Sequence, residues 1–103
     1  MANAADEVTL VIARTAIGNQ LEKIRAGDVE GLKATFTDRL KDRITAEGVQ
    51  KAEGQLKTMT LDDLVASVEV GAGAIKIKMK NGRTLTTLVP VGAAWRADTI
   101  WVK

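Results

Sequence analysis

A chain of 103 residues falls within the size of one domain and should bury roughly 65% of its unfolded surface around a single core. Its 46% hydrophobic and 27% charged residues exclude the composition of a disordered chain, and a net charge of only +2 gives no dense basic face for a phosphate backbone. The absence of cysteine and histidine excludes disulfides, cysteine zinc sites and the commonest metal ligand and general base.

Leu10, Ala13, Ile17, Leu21 and Ile24 recur at steps of three and four, which predicts a first helix over about 6–25. Asp6 and Glu7 suit its N-terminal end and Lys23 and Arg25 its C-terminal end, while Gly27 can take the left-handed conformation that stops it. Gly18 costs about 1 kcal/mol inside a helix, and a close packing neighbour is expected there. Asp28 is placed to cap a second helix over about 29–36, carrying Val29, Leu32 and Phe36 on one stripe. The densely charged stretch 37–44 reads as either a helical extension or an irregular link. Thr45 caps a third helix over about 46–57, with Val49, Ala52, Leu56 and Met59 as its apolar stripe.

From Leu64 onward the period becomes two, which predicts antiparallel strands over about 64–70, 74–79, 83–91 and 95–102. Gly71-Ala72-Gly73 is the first turn. For the hairpin at Asn81-Gly82, a three-residue loop with Gly82 left-handed pairs Met79 with Arg83 and Ile77 with Leu85. In that register Ile75, Ile77, Met79, Leu85, Val89 and Val91 face inward, and Lys76, Lys78, Lys80, Thr84, Thr86 and Leu88 face outward. The last strand alternates Trp95, Ala97, Thr99 and Trp101 with Arg96, Asp98, Ile100 and Val102, so both of its faces carry apolar groups. The expected fold is α+β, with three N-terminal helices on a curved antiparallel sheet of about four strands in one domain.

The run Ile24-Arg25-Ala26-Gly27-Asp28-Val29-Glu30-Gly31-Leu32 followed by Phe36 resembles the junction of the first two helices in the nuclear transport factor two-like superfamily, also called SnoaL-like. The segment Gly92-Ala93-Ala94-Trp95-Arg96-Ala97-Asp98 is similar to the glycine-and-tryptophan pattern with which those sheets often enter their last strand. The resemblance implies a cystatin-like cone, a sheet wrapped on a long helix, which different members use for catalysis, ligand binding or association. The chain is shorter than many members, and no strand is predicted between its second and third helices. The tyrosine, histidine and aspartate constellations of the isomerase and dehydratase members have no matching motif here.

Candidate chemistry is sparse. Ser67 has no histidine to activate it and reads as a strand hydroxyl. Asp62 and Asp63 are adjacent carboxylates that read as capping or solvated groups, with Asp63 a candidate base. Asp98 is the other candidate base, although alternation with Trp95 and Trp101 turns it outward, toward Arg96 or a lysine. Lys76, Lys78 and Lys80 form an outward stripe that solvates the sheet.

The expectation is a non-enzymatic domain that forms a homo-oligomer, most simply a dimer, or holds a small apolar ligand. The ligand pocket would be a shallow cone lined by Ile77, Met79, Leu85, Trp95 and Trp101. The subunit interface would use Leu88, Ile100 and Val102. The alternative is a lyase or isomerase with an aspartate base. No cofactor, metal, nucleic acid or membrane partner is expected, and the chain reads as soluble, either cytoplasmic or exported after loss of a signal sequence.

Overall fold

The computed structural model describes residues 4–101, with side chains over 7–101; Val102 lies outside the described residues. The chain is α+β, a helix-rich N-terminal part followed by an open four-stranded antiparallel sheet. Helix α1 spans Ala4–Ala26 and α2 Val29–Lys33, a 3-10 segment covers Asp38–Arg43, and α3 and α4 occupy Ala46–Gln55 and Leu61–Leu64. Strands β1 (Ser67–Gly71), β2 (Ala74–Lys78), β3 (Thr84–Val91) and β4 (Ala94–Ala97) follow as a meander in the order β1-β2-β3-β4. Among the described residues no helix is long and apolar enough to cross a membrane.

Helix α1 contacts α2, α3, α4 and strands β1, β2 and β4, so its apolar stripe organises the core. Ala13, Ile17, Leu21 and Ile24 are buried on that stripe, against Leu32, Phe36, Ile75, Ile77 and Leu88. Gly27, at φ +69, ends the helix. Gly18 has no tight neighbour: a Cβ there would lie 3.6 Å from Leu61 Cδ2, ordinary contact that an alanine would satisfy. Gly31 is more crowded, because a Cβ there would displace the Asp28 carboxylate that accepts its N–H at 2.9 Å to cap α2.

Helix α2 stops three residues short of the predicted end. Phe36 leaves it to form a parallel bridge with Ala97, with Ala97 N–H donating to Thr35 O and Thr37 N–H to Ala97 O, both at 2.9 Å. The edge amide and carbonyl of β4 need partners, and this crossing supplies them. Among the described residues no strand pairs with the outer edge of β1.

The first strand also starts later than the period suggests. Thr60 and Asp63 form a reciprocal capping box that winds Leu61–Leu64 into a helical turn and buries Leu64 and Val65 behind it. A Thr-x-x-Asp signal was therefore present in the sequence. In the β1–β2 turn Ala72 adopts φ 52 and Gly73 φ 75, a left-handed conformation that costs a residue with a Cβ about 1–2 kcal/mol.

The β2–β3 hairpin corrects the predicted faces. Its tip is a three-residue loop with Gly82 at φ +88, and Met79 N–H donates to Arg83 O at 2.7 Å. Beyond Lys78↔Thr84, however, the register shifts and Ile77 opposes Thr86, not Leu85. Leu85 is the extra residue of a bulge, and one inserted residue exchanges the faces of the rest of the strand. Leu88 therefore faces inward, opposite Ile75, and is fully buried rather than available to a partner. Val89 turns to the other face opposite Arg96, and Val91 is exposed.

The last strand ends at Ala97 rather than near residue 102. Thr99 bends back to share a hydrogen bond of 2.7 Å with the buried Thr86 hydroxyl, and Trp101 Nε1 donates to Gln20 Oε1 at 2.8 Å. Gln20 is itself fully buried in α1 and donates to the Thr35 hydroxyl at 3.0 Å. This relay fastens Trp101 to α1. Alternation therefore fails after Ala97, and Ile100 lies half-buried against the core instead of on an outer apolar face.

Candidate functional site

Ala97 is buried opposite Leu88 on the inner face of β4, and Trp95, two residues earlier and paired with Pro90, shares that face. Its half-buried indole stands beside α1. With Val11, Ile12 and Ala16 it forms the mostly apolar wall of an open groove of about 770 Å³, to which Thr15 and Asn19 add polar groups. Val11 is 62% exposed and Val8, one turn earlier, 59%, so the apolar surface continues toward the start of α1. These residues lie off the core stripe. That was the sequence signal: Val8, Val11 and Ile12 are apolar residues that the Leu10-Ala13-Ile17 spacing leaves unused.

The five residues expected to line a cone do not meet in one pocket. Ile77 is fully buried in the core, and Leu85 is the bulge residue, half-buried against that core. Met79 faces Met59, Asp63 and Asn81 across a separate groove of about 310 Å³. Trp101 is held by Gln20, while Trp95 alone reaches the α1 groove.

Both candidate bases are engaged in holding backbone. Asp98 accepts from the Thr37 hydroxyl at 3.0 Å and from Arg39 at 3.1 Å, and its carbonyl accepts a second bond from Arg39 at 2.6 Å. The expected outward partner Arg96 turns instead to Asp38 at 3.4 Å. Asp63 accepts from Thr60 N–H at 3.0 Å within the capping box, and Asp62 pairs with Arg14 at 2.6 Å. The two neighbouring aspartates thus serve different helices.

The Thr60 amide holds the Asp63 carboxyl below its ordinary value of 3.8, outweighing the opposing effect of partial burial. A hydrogen bond from Lys41 does the same for Asp38. A carboxylate with a depressed folded-state value contributes stability that is complete above its unfolded value and lost as pH falls through the folded one. Stability is expected to drop as pH falls below 3.8, and Asp63→Ala should narrow the difference between thermal melts at pH about 5 and about 2.5. An unchanged difference would remove Asp63 from the acid response. Among the described residues no group of three or more carboxylates is placed to hold a metal ion.

No protein-family model, curated protein or solved structure matches this chain.

Proposed function

We propose that this protein is a non-enzymatic binding module whose groove between α1 and Trp95 takes a small apolar ligand. The observation that carries the reading is the groove itself. Its volume of about 770 Å³ falls in the range of small-molecule sites, roughly 300–1,000 Å³, and its lining follows the same rule of apolar walls with a few polar groups. The engagement of Asp63 and Asp98 in capping and loop closure favours binding over an aspartate-based lyase or isomerase.

The fold reading behind this proposal is a small member of the nuclear transport factor two-like superfamily. Its support is the four-strand meander packed on one long helix, together with the bridge at Phe36, which places extended backbone between the second helix and the 3-10 segment. In a cone of that kind the interior is filled by Ile17, Ile24, Phe36, Ile77 and Leu88, which moves ligand binding to the flank.

Nile red, a neutral apolar dye, should bind with a saturable rise in emission, and Trp95→Ala should weaken that binding by about tenfold. Equal affinity in the variant would place the ligand elsewhere. Self-association is the second reading, favoured by Val8 and Val11 exposed at the groove's end. Sedimentation at micromolar concentration separates the two, since a monomer that binds the dye excludes a dimer built on this surface.

A further inference from the structure

The groove's lining holds two ionisable side chains, Arg14 and Glu22, and they differ in what they have left to offer. Arg14 is neutralised by Asp62 at 2.6 Å. Glu22 is exposed and makes no ion pair among the described residues. The nearest cations along the helix have other partners: Lys23 faces Asp28 at 3.7 Å, and Arg25, its charge uncancelled, donates to the Met59 carbonyl at 3.3 Å. Among the described residues Glu22 is therefore the charged side chain of the lining left without an ion pair, at one end of an apolar wall.

Val11, Thr15, Gly18 and Glu22 follow one another at steps of four, three and four, so they lie along one side of the helix. At 1.5 Å per residue the distance along α1 from Val11 to Glu22 is about 16 Å. From this geometry we infer that the ligand is an elongated cationic amphiphile, with its apolar body along Val11, Ile12, Ala16 and Trp95 and its ammonium group at Glu22. The inference rests on the groove being the binding site and adds the ligand's chemical class. An anionic amphiphile would meet Glu22 as a like charge, and a neutral one would leave that carboxylate unused.

Calorimetric titration with octyltrimethylammonium, octanol and octanoate, each below its micelle concentration and at low salt, tests the class. The ammonium compound should bind about fivefold tighter than octanol and octanoate about fivefold weaker, the size of an exposed charge pair. Glu22→Gln should bring all three within about twofold of one another, and Thr15→Trp, which fills the groove, should abolish binding of all three. Equal affinities in the wild-type protein, or a preference that survives Glu22→Gln, would overturn the cationic class while loss of binding in Thr15→Trp still upheld the groove. Absence of saturable binding by all three probes, or binding indifferent to Thr15→Trp, would overturn the groove and the ligand class together.

Discussion

Replacing Phe36 by alanine is expected to lower the free energy of unfolding by about 3–5 kcal/mol, measured by denaturant titration. Among the described residues Phe36 is the largest fully buried side chain, and its backbone makes the bridge to Ala97 that covers the outer edge of β4. Truncation would open a cavity where the second helix, the sheet and α1 meet, and the surrounding backbone is tied by hydrogen bonds on both sides of Phe36. Single domains have only about 5–15 kcal/mol in total, so the variant should melt at least about 12 °C below the parent. Phe36→Leu keeps most of the volume and should lose much less. A loss below about 1 kcal/mol for the alanine variant would mean that the segment after α2 does not close the core.

The second large effect distinguishes the bulged register from the unbulged one. Leu88→Ala should cost about 2–5 kcal/mol, because Leu88 is fully enclosed opposite Ile75 and Ala97. Leu85→Ala should cost about 1 kcal/mol, because Leu85 sits in the bulge and is only half-buried. A hairpin without the bulge would reverse this order, with Leu85 inside and Leu88 in solvent. Parallel denaturation of the two variants therefore reads the register directly.

These experiments fall where local pattern and tertiary structure part company. The capping of α2 by Asp28 and of α3 by Thr45, the stop at Gly27 and the left-handed Gly82 are short-range events, each settled by a side chain or a positive φ within a few residues. The Thr60–Asp63 box belongs to the same class, although the alternating residues that follow it favour an earlier start for the first strand. The bulge at Leu85 is different. The three-residue loop expected for Asn81-Gly82 assumes an unbroken ladder, and only packing of the sheet's inner face into the core decides that Thr86 and Leu88 are the residues turned inward. The cost of turning the Thr86 hydroxyl inward is offset by its bonds to Thr99, a partner 13 residues away that local periodicity does not reveal.

The groove was legible only in part. Val11 and Ile12 stand off the core stripe in the sequence, and Trp95 is one of few aromatics, yet no local rule joins α1 to a strand more than seventy residues later. Pairing of β4 with β3, and the face this gives Trp95, brings them together. Asp98 was likewise readable as a carboxylate beside the last strand, but its partners Thr37 and Arg39 lie some sixty residues upstream.

By itself, then, the sequence determined the α+β order, the main apolar stripe of α1, the cap residues and the left-handed turn at Gly82, because helix and strand periods and caps are properties of neighbouring residues. The tertiary structure alone decided the inner face of β3, the covering of β4 by Phe36, the fastening of Trp101 to Gln20 and the groove at Trp95. Those depend on which distant backbone edges and apolar faces must be satisfied together, and a single strand's alternation carries no information about its partner.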